Sequence, residues 1–358
     1  MPDKTLLDQA IAHAQAHETP WPREPLAAPG PGQQPWGVHH DDPPPFNRLR
    51  GPVHARGPQS GVVWQADHEL ANWGEPGRAD QTFSVAKTCL ALLAGLAQGQ
   101  GLLPDEHAPV CQRLPGIGFD SEHNRPITWA HLLEQTSEWE GSCFGLPDTV
   151  DRWRKVGQDP RPAGGPKGGP RPLQTPGSYW EYNDVRINQL SLALLHLFGR
   201  PLPEVFLEHI LQPLGGGDGY AWQAYDDAWL TLPGVGRVPS VPGGTHWGAG
   251  LSISAHDLAR LGQLLLDGGQ HRGRQLLPQA WLQRMAQPCN IAPFYGRLLW
   301  LNPGGRAFAG ASPEAVFMLG AGGHLVWVDP ALQAVVVLRW LDPAHTAATV
   351  AALARALA

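Results

Sequence analysis

The sequence predicts an α/β (α+β) protein: a mostly antiparallel sheet built from both chain ends and flanked by helices, with an inserted helical subdomain. Two observations carry this. Strand-like runs lie near each terminus, and helical periodicities dominate from residue 84 to about 211. At 358 residues the chain is long enough to bury a large core as one domain or two interleaved ones. The expected division is an N-terminal arm with the first strands over 1–82, a mainly helical subdomain over 83–235, and the rest of the α/β domain over 236–358.

In chain order, residues 3–17 read as a short amphipathic helix, and the Pro/Gly-rich stretch 18–58 as an extended wrapping segment. Residues 61–65 and 68–73 form a predicted β-hairpin. The almost unbroken apolar run over 85–98 is a buried helix with Ser84 at its N-terminus, and further helical patterns cover 127–135 and 184–198, the latter closed by Gly199. The Gly/Pro density of 157–177 admits only a loop. Ser254 to Asp257 resembles a capping box opening a helix that Gly268 and Gly269 end. Strand-like runs over 315–319, 324–329 and 333–340 and a helix from about Thr346 complete the chain, which has no internal repeat.

A net charge of −6 argues against nucleic-acid or anionic-membrane partners. Cys89, Cys111, Cys143 and Cys289 lie far apart with no C-x-x-C spacing and read as reduced thiols. No apolar signal region opens the chain and no run is long enough to cross a bilayer, so a cytoplasmic location is expected.

Ser84-Val85-Ala86-Lys87 places a hydroxyl and an amine one helical turn apart, on one face, at the mouth of the apolar helix. An amine able to take the serine proton makes attack on a carbonyl feasible, and the helix N-terminus favours an oxyanion there. The alternative is an N-capping serine followed by a solvated lysine. A lysine within a dense apolar helix weighs against it. Trp180-Glu181-Tyr182-Asn183-Asp184 supplies a phenol just before a helix. Beside a cationic lysine, Tyr182 is suited to act as base in acylation and as acid toward the leaving group.

Phe83-Ser84-Val85-Ala86-Lys87, Ile127-Thr128-Trp129-Ala130-His131-Leu132-Leu133-Glu134-Gln135-Thr136-Ser137, Pro176-Gly177 leading into Tyr182-Asn183-Asp184, and Leu319-Gly320-Ala321-Gly322-Gly323 occur in an order that resembles the class C β-lactamase-like serine hydrolases. That family includes β-lactamases, D-amino-acid peptidases, esterases and amidases such as 6-aminohexanoate-dimer hydrolases. The resemblance spans about 51–340 and implies a β-lactamase/penicillin-binding-protein-like fold. It implies Ser84 as the acylated nucleophile, Lys87 as its activating amine, Tyr182 as the phenol of a Y-x-N element, and the Ser84 and Ala321 N–H groups as the oxyanion hole. His131 and Thr136-Ser137 are implied to be structural.

Two departures bear on substrate. Asp184 stands where the Y-x-N element has asparagine; facing Lys87, it would hold the amine protonated and leave Tyr182 as base. Met318-Leu319-Gly320 aligns with the K-T-G or H-x-G strand, yet Lys167 is the last lysine in the chain. Arg297 or Arg339 remain substitutes for the missing cation. The expected activity is therefore a serine hydrolase acting on carboxylic esters or small amides through an acyl-enzyme, without cofactor or metal. The alternatives are a β-lactam or D-peptide hydrolase and a catalytically weak acyl-binding sensor. Asp184, Trp139, Trp180, His246, Trp247, Met318 and Gly320 are the substrate-pocket candidates. No G-x-S-x-G elbow exists. The His39-His40-Asp41-Asp42 cluster and the His13/His17 pair read as solvated surface, and Gly215 to Gly219 as a turn.

Overall fold

The computed structural model describes residues 2–27, 36 and 42–358. Its main sheet has six antiparallel strands in the spatial order Trp300–Leu301, Val316–Gly320, His324–Asp329, Ala334–Arg339, Ser60–Gln65, His68–Trp73. The chain ends meet at its centre, where Ser60 pairs with Arg339 and Gln65 with Ala334. The Ala334–Arg339 strand and the neighbouring His324–Asp329 strand are buried along their whole length and read as hydrophobic runs because both faces are covered. The Ala255–Leu266 helix lies on one face, its N-cap Ser254 accepting from the Asp257 N–H as the capping signal predicted. The Lys4–Ala16 and Thr346–Leu357 helices pack together, tied by Asp3 N–H donating to Ala356 O at 2.8 Å.

The helical part is centred on Val85–Gly99, buried from Val85 through Ala97. A helix this apolar all round requires protein on every side. The Asp184–Phe198 helix packs against it, capped by Asn183, whose side chain accepts from Arg186 N–H. Residues 157–177 contain no regular element, as their composition requires. Three short strands, Asp80–Gln81, Gly250–Ile253 and Ala221–Gln223, form a separate antiparallel sheet. Each is too short to leave a period-2 signature, which is why the sequence does not announce them.

The four cysteines are unpaired. Among the described residues no single helix is long and apolar enough to cross a membrane.

Candidate active site

Ser84 is delivered to the site by strained backbone. Phe83 adopts φ +51°, a left-handed conformation that a bulky residue avoids unless its surroundings enforce it. Here they do: Phe83 packs edge-on against Trp21, Trp36 and Trp340 and stacks on His324. Ser84 then begins the helix without spending its hydroxyl on a cap. That removes the reading of Ser84 as an ordinary N-cap, and Lys87, only 1% exposed, is no solvated lysine.

Lys87 Nζ lies 2.9 Å from Ser84 Oγ, 3.2 Å from Gly243 O and 2.6 Å from Asp184 Oδ1. Two of these contacts are hydrogen bonds donated by Nζ, to Ser84 Oγ and to Gly243 O; the third is an ion pair with Asp184 Oδ1, which accepts no hydrogen bond. Asp184, the departure from the Y-x-N pattern, does face Lys87. It also takes Arg154 Nη1 at 2.8 Å and His246 Nδ1 at 2.9 Å. Burial alone would push its carboxyl up, but Arg154, Lys87 and His246 together hold it well below the usual carboxylate range. Behind it, Asp42 meets His246 Nε2 at 3.1 Å and Lys167 at 2.5 Å, and Asp151 meets Arg154 at 3.2 Å. The Asp42 end of the His39–Asp42 cluster is thus buried in an ion network, not solvated surface; His39 to Asp41 lie outside the described residues.

Tyr182 is set by a second buried lattice. Arg171 grips Glu138 with two 2.6 Å bonds and Glu181 at 2.8 Å, while Arg186 adds Glu138 at 2.8 Å. Glu181 N–H donates to Gln135 O, Asn183 N–H to Gln135 Oε1, and Asp184 N–H to Asp151 Oδ2. Three backbone N–H anchors flanking Tyr182 fix its direction. Its ring stacks on Trp300 and lies 4.8 Å from Lys87 Nζ and 5.3 Å from Arg154 Cζ. Arg171→Ala leaves Glu138 and Glu181 without this partner in the interior, and is expected to lower stability by about 3–5 kcal/mol, measured by denaturant unfolding.

Ser84 and Tyr182 share a pocket of about 380 Å³ with Arg154, Trp300, Phe308, Leu319, Gly320 and Ala321. Gly320 lets the strand end press against the segment before Ser84: a Cβ there would sit 2.3 Å from Thr82 O. This contact brings Ala321 to the same pocket as Ser84. Among the described residues, nothing accepts a hydrogen bond from the Ser84 or Ala321 N–H.

Several sequence candidates fall elsewhere. Trp139 is buried, its Nε1 donating to Gly118 O, and Trp180 packs behind Tyr182 against Phe294 and Tyr295. Trp247 stacks on His246 and donates to Phe46 O, and His246 itself bridges carboxylates. Met318 points into the core, 1% exposed. None of these five lines the Ser84 pocket. Large aromatics and alternating strand residues satisfy burial first, and sequence spacing does not separate core from cleft. Arg297 and Arg339 are also committed, Arg297 to Glu106 and Arg339 to His324 and the Asp80, Gln81 and Ile253 carbonyls. The pocket cation is instead Arg154, which no motif marks. His131 closes a capping box with Thr128, a structural role as expected.

The beta-lactamase family model matches residues 79–357. The chain belongs to the beta-lactamase family. No curated protein matches it in sequence. Among solved structures it is similar to a D-stereospecific amidohydrolase from Streptomyces sp., with 18% identity over 97% of this chain and 98% of that one and a TM-score of 0.58. It is also similar to EstCE1, a hydrolase with promiscuous acyltransferase activity, with 20% identity, 84% and 93% coverage and a TM-score of 0.58. A family VIII carboxylesterase matches with 17% identity, 83% and 92% coverage and the same TM-score. These likenesses establish that the beta-lactamase fold extends over most of the chain.

Proposed function

We propose that this beta-lactamase-family member is a serine hydrolase that cleaves carboxylic esters or small neutral amides through an acyl-enzyme on Ser84. The observation that carries this reading is the 2.9 Å contact between Ser84 Oγ and a buried Lys87, at the edge of a pocket shared with Tyr182. Lys87, hydrogen-bonded to Ser84 and Gly243 and ion-paired with Asp184, positions the hydroxyl and supplies positive charge. Tyr182 takes the proton as Ser84 attacks and returns it to the leaving group. The Ser84 and Ala321 N–H groups receive the oxyanion, each such donor contributing about 2.7–4 kcal/mol to transition-state stabilisation. Water then releases the acyl group.

The pocket walls select the substrate class. Val156, Trp300, Phe308, Leu319 and Leu325 are apolar, and Arg154 is already neutralised by Asp184 and Asp151. The strand position that carries a lysine in K-T-G members holds buried Met318. This supports uncharged acyl groups over substrates anchored by a carboxylate. A panel of nitrophenyl esters, small amides and nitrocefin is expected to show turnover of short-chain esters and little of nitrocefin. Efficient nitrocefin hydrolysis without esterase activity would overturn the substrate assignment.

A further inference from the structure

We propose that His13, His17 and His345 form a binding site for a divalent transition-metal ion of the zinc type, joining the two chain ends. His13 and His17, one turn apart at the end of the Lys4–Ala16 helix, read from sequence as solvated surface. The structure half-buries both and brings His345 onto them from the N-cap of the Thr346–Leu357 helix. The ring centroids lie 4.3 Å (His13–His17), 3.5 Å (His17–His345) and 5.5 Å (His13–His345) apart. One nitrogen from each ring lies within 4.8 Å of the others.

Two further features point to an ion. His17 Nδ1 lies 2.7 Å from His13 O. A carbonyl only accepts, so Nδ1 carries the hydrogen and the Nε2 lone pair is left for a ligand; a ring N–H held by a backbone carbonyl is the usual support of a metal-bound histidine. His13 Nε2 is sealed from solvent and has no hydrogen-bond partner.

The backbone frame is rigid at this point. Asp342 N–H donates to His17 O at 2.9 Å, and Glu18 bridges to Leu341, which fixes the approach of His345. Metal–nitrogen bonds of about 2.0–2.1 Å in a tetrahedron place nitrogens roughly 3.4 Å apart. Closing from within 4.8 Å requires the stacked His345 ring to turn off His17 so that the three nitrogens converge. Imidazoles without thiolates or carboxylates suit zinc, nickel, cobalt or copper better than calcium or magnesium. A fourth position stays open to water. The ion does not enter the Ser84 chemistry, but Thr346 and Ala347, next in sequence to His345, line that pocket. Occupancy therefore steadies one of its walls.

The test is titration of the chelator-stripped full chain with Co²⁺ and Zn²⁺. The site predicts one Co²⁺ per chain with visible d–d bands, displacement by Zn²⁺, and a rise in Tm on loading. His13→Ala, His17→Ala and His345→Ala are each expected to weaken uptake by at least about 10-fold. The wild-type titration stands even if a variant folds poorly. No stoichiometric uptake would overturn the site. So would uptake insensitive to all three substitutions, which would place the ion elsewhere, for instance at the buried Asp42, Asp151 and His246 group. Neither outcome depends on the hydrolase assignment, since no readout uses Ser84.

Discussion

Ser84→Ala is expected to lower kcat for a short-chain nitrophenyl ester by about 10⁵- to 10⁶-fold, the scale seen when a serine hydrolase loses its nucleophile. The argument rests on what remains. Lys87, Asp184 and Tyr182 stay in place around an empty position, and the proposed oxyanion donors, the N–H groups of residues 84 and 321, are retained. Water attack in that pocket retains only the binding and oxyanion contributions. Stability should hardly change, because the Ser84 side chain caps nothing and its hydroxyl contact is with Lys87. Steady-state kinetics with a thermal melt of the same preparation check both halves. Retention of more than about a tenth of wild-type turnover would remove Ser84 from the chemistry.

Tyr182→Phe should lower kcat by about 10²- to 10⁴-fold while leaving KM nearly unchanged, the signature of a lost proton-transfer group. The ring itself is retained, so its stacking on Trp300 and the pocket wall it forms persist. The size of this effect separates two mechanisms. In the proposed mechanism Lys87, hydrogen-bonded to Ser84 Oγ and Gly243 O and ion-paired with Asp184, orients the hydroxyl, and the proton passes to the phenol. A mechanism with Lys87 as sole base predicts a loss below about 10-fold for the same variant.

The sequence revealed those parts of the molecule that depend on local spacing. The hairpin of Ser60–Gln65 and His68–Trp73, the Val85–Gly99 helix with Ser84 at its mouth, and the strands that close the chain all show their periodicity directly. Ser84 and Lys87 share a turn, so their contact follows from helix geometry. Asp184 was legible as a departure, and its encounter with Lys87 gives that departure a consequence.

What was illegible depends on long-range closure. Arg154 enters the pocket because the segment after the Asp148–Asp151 turn folds back over Asp184 and Tyr182, and no local pattern encodes that return. The tryptophans were ambiguous for a different reason: residue type specifies burial but not which cavity is near, and Trp300, unremarked in sequence, lines the pocket that Trp139 and Trp180 do not. His345 meets His13 and His17 only because opposite chain ends supply adjacent helices.

The central claim is that Ser84 becomes covalently acylated. Rapid mixing with a nitrophenyl ester, followed by acid quench and peptide mass spectrometry, tests it most directly. The account predicts a nitrophenol burst approaching one equivalent per chain when deacylation is the slower step, and an acyl mass increment on the peptide containing Ser84 that is absent from Ser84→Ala. Turnover with the increment on another residue, or with an equal increment in Ser84→Ala, would contradict it.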